Sequence, residues 1–330
     1  MTAMTRTRNF YSTALFLTAV IFIPLCASQE EAKQTASSDE ANTIGGLAIP
    51  DGVKVVPDIF YREGDTDRWQ LDLAMPKAES AKPRPAIVFV HGGGWRNGDK
   101  RRANFLGPAL EFASKGYVCV STNYRLVQHA PFPACVEDVK CAVRWLRAHA
   151  KEYNIDPERI GAYGNSAGAH LVAMLGLCPP EAGLEGDGPW QAYSSMVQAV
   201  VCSATPASFM MPMNDRAQQS RQNDSRKAAG DDTPRRRSRM PEELRKKVSP
   251  LTYVTAEAPA FLIIHDTADK TVSIRQGDAL NKALKYAGAK DITYMRFEEG
   301  YGHGVFRKGI AKTGPAMEAF FERTLKGHQK

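Results

Sequence analysis

The sequence predicts an α/β fold with a mostly parallel central sheet and helices on both faces. Two observations lead to this prediction. Segments of strand composition alternate with segments of helical period from about residue 51 onward, and this alternation is typical of parallel strands joined by crossover helices. In addition, residues 85–90 (PAIVFV) form an unbroken apolar run, which indicates a strand buried on both faces.

The elements follow in chain order. Strands at 53–61 and 69–74 open the region as an antiparallel pair, and the buried strand 85–90 comes next. A helix at 102–114 ends before Gly116, and strand 117–122 follows. After Pro133, apolar residues recur every three or four positions, which predicts a helix. The second half supplies a strand at 159–163, a helix at 167–177, strands at 196–203, 260–265 and 292–297, and helices at 273–287 and 316–325.

A basic insertion interrupts this alternation at about residues 205–248. The stretch 214–248 holds eleven Lys and Arg against six Asp and Glu, which accounts for +5 of the total charge of +7. The rest of the chain is therefore nearly neutral, which argues against nucleic acid as a partner. A local run of charge is usually a solvated face, although Arg235, Arg236, Arg237 and Arg239 could also steer anionic substrates.

The N-terminus resembles an export signal over residues 1–28. Arg6 and Arg8 precede an apolar run, and small residues that suit a cleavage site follow it. The run is shorter than the roughly 20 residues of a membrane span, so no stable span is expected after cleavage. Leu25 argues against a lipid anchor on Cys26. We expect a secreted or periplasmic protein with a flexible polar leader at 29–50, followed by one domain at 51–330.

Five cysteines remain after the signal segment, and they form no CxxC pair. This arrangement fits neither a disulfide framework nor a zinc site. The interpretation as small buried residues is preferred, and Cys178 with Cys202 is the one bridge that the sequence leaves open.

The stretch GAYGNSAGAHL places Ser166 between a predicted strand and a predicted helix, with Gly164 and Gly168 two residues away on either side. A nucleophile exposed on such a sharp turn needs glycine at both positions, because side chains there would collide. The motif alone is weak, so its context has to decide between a nucleophile and an ordinary turn.

A second glycine motif, HGGGW at 91–95, directly follows the strand 85–90. The phosphate-binding patterns GxxxxGK[ST] and GxGxxG are absent. Acyl transfer explains these glycines better, because backbone N–H groups without side-chain bulk can reach a developing oxyanion. We assign that role to Gly93 and Gly94, together with the N–H of Ala167.

A reactive serine needs a base, and the base needs an orienting carboxylate. Two carboxylates, Asp266 and Asp269, follow the strand 260–265, and His303 follows the strand 292–297. Both positions lie past the C-terminal ends of strands, where open α/β sheets place their sites. Together with the two glycine motifs, they predict that Ser166 is a nucleophile.

From about residue 51 to residue 325 the chain resembles an α/β-hydrolase of the esterase/lipase group with an HGGGW motif, closest to secreted acetyl-xylan-esterase and feruloyl-esterase-like carboxylesterases. The stretches HGGGWRNGDK, IDPERIGAYGNSAGAHL, SPLTYV and GYGHGVF carry the resemblance, in the order of the family. It implies that Ser166 is the nucleophile, His303 the base and Asp269 the orienting acid. The chain has Asp266 where the family usually has glycine, so Asp266 remains a competitor of Asp269.

The neighbours of these residues are assigned less specific roles. Trp95, Asn165 and Tyr301 are candidates for the pocket, with packing as an equal alternative for Trp95. His91 is expected to anchor the glycine loop, and His170 is expected to be a packed residue. Asp138 is expected on a helix surface. Phe209, Met210, Met211 and Met213 fit either an apolar lid or a loose edge of the core.

The leading functional hypothesis is a secreted serine carboxylesterase that acts through an acyl-enzyme on short or aromatic acyl esters, such as those on polysaccharides. No metal or organic cofactor is expected, and the partner is a small-molecule or polysaccharide-linked ester. The alternatives are an amide hydrolase of the same fold, either a peptidase or an arylformamidase, and a binding protein without catalysis. The sequence indicates no oligomeric state.

Overall fold

The computed structural model describes residues 42–214 and 240–327. The chain divides into the units Met1–Thr43 and Ile44–Lys330, and the fold below is that of the second unit. The predicted signal segment, most of the predicted leader and the four arginines at 235–239 lie outside the described residues. Within the described part of the chain, no helix is long and apolar enough to cross a membrane.

Strands and helices alternate as the sequence predicts. The strands are β1 (Thr43–Ile44), β2 (Leu47–Ala48), β3 (Val53–Phe60), β4 (Gln70–Pro76), β5 (Arg84–Val90), β6 (Val118–Thr122), β7 (Ile155–Asn165), β8 (Ala199–Ser203), β9 (Ala260–Asp266) and β10 (Ile292–Phe297). The helices are α1 (Ala103–Ser114), α2 (Ala134–Ala148), α3 (Ala167–Leu177), α4 (Glu242–Lys247), α5 (Ile274–Ala287), α6 (Val305–Lys308) and α7 (Ile310–Phe321). The predicted α/β class is confirmed.

Eight strands form one sheet in the order β10-β9-β8-β7-β5-β6-β4-β3. The strands from β10 to β6 run parallel to one another, and β4 and β3 pair antiparallel at one edge. Near the middle of the sheet, Val88 of β5 lies between Val120 of β6 and Ala162 of β7. The C-terminal ends of β5, β7 and β9 therefore meet at one edge of the sheet, where crossover folds place their sites.

The core has two layers, one on each face of the sheet. Val88 and Val90 belong to the layer that also contains residues of α2, α3 and α5, whereas Ile87 and Phe89 belong to the layer with residues of α1 and α7. Successive side chains of a strand point to opposite faces. A strand between two helical layers must therefore be apolar wherever both layers cover it, and β5 is apolar and buried from Pro85 to Val90.

Several predicted boundaries need correction. The predicted leader ended too late, because Ile44 is buried, and Leu47 packs against the same layer of the core. β7 begins at Ile155 rather than at residue 159, since Arg84 of β5 pairs with Ile155 across an irregularity in the register. The last helix begins at Ile310 rather than 316 and contains Pro315.

Two predictions about side chains are also decided. All five cysteines within the described residues are buried and free, so the bridge between Cys178 and Cys202 is absent and the interpretation as buried residues is confirmed. Asp138 does not lie on a helix surface: it is fully buried and accepts hydrogen bonds from the backbone N–H and the guanidinium of Arg125. A buried carboxylate requires such a partner, and the helical period of α2 does not reveal it.

Candidate active site

Ser166 occupies a strained turn between β7 and α3. Its backbone angles are φ 57° and ψ −120°, in a region that residues with a side chain seldom adopt. The two flanking glycines are required by close packing of the backbone. A Cβ on Gly164 would lie 2.4 Å from the carbonyl carbon of Gly168, and a Cβ on Gly168 would lie 2.1 Å from the carbonyl oxygen of Val90. The turn is therefore as sharp as the sequence predicts, and glycine is required at both flanking positions because a side chain there would collide.

The three residues predicted to act together are in contact. The hydroxyl of Ser166 lies 2.9 Å from Nε2 of His303, and Nδ1 of His303 lies 2.8 Å from Oδ2 of Asp269. With the proton of the imidazole on Nδ1, His303 donates to the carboxylate and accepts from the serine. This arrangement allows His303 to remove the proton of Ser166 while Asp269 stabilises the resulting positive charge.

Asp269 is held in its charged form. Burial alone would raise the pKa of its carboxyl, but hydrogen bonds from His265 and His303 hold that pKa well below its usual range. Its other oxygen, Oδ1, accepts hydrogen bonds from the backbone N–H groups of Thr271 and Val272, at 2.8 and 3.0 Å. The carboxylate is therefore fixed in orientation as well as in charge.

Asp266 has a different position. Its carboxylate is fully buried and accepts hydrogen bonds from the backbone N–H groups of Tyr301 and Gly302, both at 3.1 Å, and of Ala268 at 2.8 Å. It does not contact His303 directly, but it fixes the segment that carries His303 to the end of β9. Of the two competing carboxylates, Asp269 is the one that touches the histidine.

The glycine loop after β5 presents backbone donors next to Ser166. Gly93 and Gly94 have φ values of 130° and 61°, which favour glycine. Among the described residues, no acceptor is bonded to the N–H groups of Gly93, Gly94 or Ala167. A Cβ on the neighbouring Gly92 would lie 3.5 Å from Cβ of Ser166, so the loop passes directly beside the serine. These free N–H groups are of the kind that binds an oxyanion.

An ionic network around the buried residues Lys100 and Asp72 holds the end of this loop. Nζ of Lys100 lies 2.7 Å from Oδ1 of Asp58 and 3.1 Å from Oδ1 of Asp72, and Arg101 pairs with the same two carboxylates. Asp58 and Asp72 belong to β3 and β4, so the antiparallel edge of the sheet anchors the loop. This network was not predicted from the sequence, because the acids are about 30 to 40 residues away from the bases.

His91 and His170 are structural residues, as predicted. The ring of His91 stacks on Tyr124 with 4.3 Å between centroids, and Nδ1 of His91 lies 3.0 Å from the carbonyl oxygen of Gly92. His170 accepts a hydrogen bond from Nε1 of Trp95 and donates one to the carbonyl of Val248. Burial lowers the pKa of each ring to about 4, so both are uncharged at neutral pH.

Two of the candidate pocket residues, Trp95 and Tyr301, pack against other aromatic side chains. Trp95 packs in an aromatic cluster with Phe132, His170 and Phe209, with centroid distances of 5.3 to 5.6 Å from Trp95. This cluster joins the glycine loop to the start of the insertion, so Phe209 is part of the packed structure beside the site. Tyr301 packs on Phe297.

Asn165 is the candidate that borders a cavity. Its amide donates to the carbonyl of Ser203 at 3.3 Å. Asn165 also lines a small cavity beside the site.

Comparison with known proteins agrees with this fold. The BD-FAE family profile matches residues 71–284. Esterase LipC of Mycobacterium tuberculosis is 30% identical over 256 residues, which make up 78% of this chain and 62% of that protein. The chain thus spans less than two thirds of the length of this curated relative, and it spans 54% of esterase LipQ from the same organism.

Two solved structures are also similar. A truncated carbohydrate esterase from gut microbiota has a TM-score of 0.66 and 26% identity, with 83% of this chain and 98% of that chain covered. A thermophilic esterase of Thermogutta terrifontis with bound butyrate has a TM-score of 0.63 and 30% identity, with coverage of 82% and 93%. Because the profile covers most of the chain and both structures share its architecture, the chain belongs to the BD-FAE family of α/β-hydrolases.

Proposed function

We propose that the protein is a serine carboxylic-ester hydrolase that works through an acyl-enzyme. The observation that carries the proposal is the unbroken chain of contacts from the Ser166 hydroxyl through His303 to Asp269, at 2.9 and 2.8 Å. Such a chain is the minimum that an activated serine needs. The relatives are named as esterases, and this supports the same reaction.

The reaction proceeds in two halves. The Ser166 oxygen attacks the acyl carbon as Nε2 of His303 takes its proton, and the N–H groups of Gly93, Gly94 and Ala167 stabilise the oxyanion. His303 then protonates the departing alcohol oxygen, which leaves an acyl group on Ser166. In the second half, water loses a proton to His303 and attacks the acyl carbon, and the serine is released with its proton restored.

We further propose that the substrates are short or aromatic acyl esters, such as those carried by polysaccharides. Two of the similar structures support this range: one is named as a carbohydrate esterase, and the other holds butyrate. The ring of Trp95, half-buried beside the glycine loop, offers an apolar surface for such an acyl group.

A panel of esters tests the activity and its range. 4-Nitrophenyl acetate, butyrate and octanoate, together with methyl ferulate, vary the acyl group, and 4-nitroacetanilide offers an amide. We expect the short esters and methyl ferulate to be hydrolysed well and octanoate poorly. The Ser166→Ala variant should lose activity by about 10⁴-fold or more. A preference for the anilide would identify an amide hydrolase instead, and no turnover of any compound would favour a binding protein.

We also propose that the protein is secreted or periplasmic. The support is the segment 1–28, with its two arginines, apolar run and small residues. Sequencing the N-terminus of the protein isolated from the periplasm or medium should find a mature chain that begins near Gln29. Recovery of the chain from the cytoplasm with residues 1–28 intact would contradict export.

A further inference from the structure

Two cavities lie side by side next to the catalytic turn. The larger, of about 540 Å³, lies between the start of α1 and helices α6 and α7. The smaller, of about 80 Å³, is bordered by Asn165 and Gly304, which adjoin Ser166 and His303 in the chain. Both cavities share Asn104, Phe306 and Arg307 in their walls. The two cavities are therefore neighbours, and the smaller one is lined by the residue before Ser166 and the residue after His303.

The larger cavity has mostly apolar walls. Pro108, Phe306 and Ile310 supply apolar walls, and Arg307 is the one charged residue that lines it. Arg307 is exposed and forms no ion pair within the described residues. The acids closest to it in sequence are already paired: Glu298 with Arg296, and Glu299 with Lys312. Its guanidinium is therefore free to bind an anion from solution.

The place of the cavity indicates which part of a substrate enters it. Gly304 follows His303 directly and Arg307 lies four residues after it. In the proposed mechanism, His303 is the group that protonates the departing alcohol. The side of the site next to His303 consequently receives the alcohol part of the ester. The volume of about 540 Å³ lies within the usual range for ligand sites.

We propose that this cavity binds an alcohol group that carries a carboxylate, and that Arg307 recognises the carboxylate. A guanidinium binds a carboxylate through two parallel hydrogen bonds, while the apolar walls hold the body of the alcohol. This inference rests on the ester-hydrolase function proposed above and specifies its substrate class. It uses only described residues and is independent of the four arginines at 235–239.

A matched pair of esters tests the proposal. 4-Acetoxybenzoate and methyl 4-acetoxybenzoate have the same acetyl group, and their leaving groups differ only in whether the carboxylate is free or blocked. The variant Arg307→Gln should lower kcat/KM on the acid by about tenfold, mostly through KM. The loss on the methyl ester should be several times smaller. Arg307→Lys keeps the charge without the planar fork. Its kcat/KM on the acid should therefore lie between the values of the wild type and of Arg307→Gln.

Lys308→Gln is the matched control. It removes the same charge one position away, and Lys308 lines neither of these cavities, so kcat/KM on both esters should remain that of the wild type. Equal losses on the two esters in Arg307→Gln, or the same selective loss in Lys308→Gln, would overturn the assignment of Arg307. If the wild type hydrolyses neither ester nor the neutral panel, the ester-hydrolase proposal itself fails, and this inference fails with it.

Discussion

Asp266 and Asp269 lie three residues apart at the end of β9, but their hydrogen bonds assign them different roles. Asp269 contacts His303, whereas Asp266 binds the backbone of Tyr301 and Gly302. In the proposed mechanism the first therefore stabilises the charge that forms on the histidine, whereas the second fixes the segment that carries the histidine. Asp269 is a catalytic residue in this account, and Asp266 is a positioning residue.

The two aspartates should respond differently to the same substitution. Asp269→Asn should reduce kcat by about 10³- to 10⁴-fold, because it removes the charge opposite the imidazolium and disturbs the tautomer of His303. Asp266→Asn should cost about tenfold, since one of its acceptor oxygens becomes a donor that faces a backbone N–H. Steady-state kinetics on 4-nitrophenyl acetate measures both.

A positioning role for Asp266 also predicts which kinetic constant changes. The loss in Asp266→Asn should appear in kcat with KM nearly unchanged, because the substrate contacts remain while the base is displaced. Circular dichroism should match the wild type. If Asp266→Asn is instead the more damaged variant in kcat, the roles of the two carboxylates are reversed.

The sequence predicted all three interacting residues, but it favoured Asp269 over Asp266 only through the family resemblance. The glycines around Ser166 and the order of Ser166, Asp269 and His303 are local or sequential signals, and both are visible in a single chain. The choice between Asp266 and Asp269 depends on which carboxylate points toward residue 303. That direction is set by hydrogen bonds across 34 to 36 residues, so it appears only in the folded chain.

At the scale of elements, the contact of α3 with β5 sets the position of Ser166. Gly168 in the first turn of α3 lies against the carbonyl of Val90, so the helix packs on the strand without any intervening side chain. The same close approach brings the N-terminus of α3 beside the glycine loop. The nucleophile and the oxyanion donors are therefore positioned by one backbone contact.

Gly168→Ala should disturb both stability and turnover. The added Cβ would lie 2.1 Å from the oxygen of Val90, so α3 must move away from β5, at a cost of about 1–3 kcal/mol or more for overpacking. A shift of about 1 Å in the position of Ser166 should lower kcat by about 100-fold. Urea denaturation and kinetics on 4-nitrophenyl acetate measure the two effects.

Gly52→Ala is the control for this prediction, because a Cβ there meets nothing within 4 Å. It should leave the urea midpoint and kcat at the wild-type values. If Gly168→Ala is as stable and active as Gly52→Ala, then close packing of α3 on β5 does not position the serine.

The elements themselves were predictable where the signal is strong. A continuous apolar run identified β5, and the regular apolar spacing identified α2. The ends of the strands and helices were harder to predict from the sequence. β7 extends back to Ile155 through Pro157 because its neighbour β5 pairs there, and a local pattern contains no information about the partner strand.

At the scale of the whole molecule, buried uncharged histidines couple stability to pH. The pKa values of His91 and His170 are lowered to about 4 by burial, whereas a histidine in an unfolded chain titrates near 6.5. Between these values the unfolded state binds more protons than the folded state. Stability therefore falls as the pH falls from about 6.5 toward 4.

The slope of this loss can be measured. Each of the two histidines should contribute up to about 1.4 kcal/mol per pH unit to the decrease in the free energy of unfolding. Urea denaturation between pH 6.5 and 4.5 gives the slope. His170→Gln, whose amide can still accept from Trp95 and donate to Val248, should show a shallower slope than the wild type. Identical slopes would mean that His170 is not buried in its neutral form.

The proposed function requires that His303 and Asp269 activate Ser166 in the folded chain. Mass spectrometry after treatment with a fluorophosphonate tests it most directly, because such reagents form a stable bond with a serine that a neighbouring base activates. We expect one adduct per chain, located on the peptide that contains Ser166, with no adduct in Ser166→Ala and strongly slowed labelling in His303→Ala. An unlabelled wild-type protein, an adduct on another residue, or labelling at the wild-type rate in His303→Ala would contradict it.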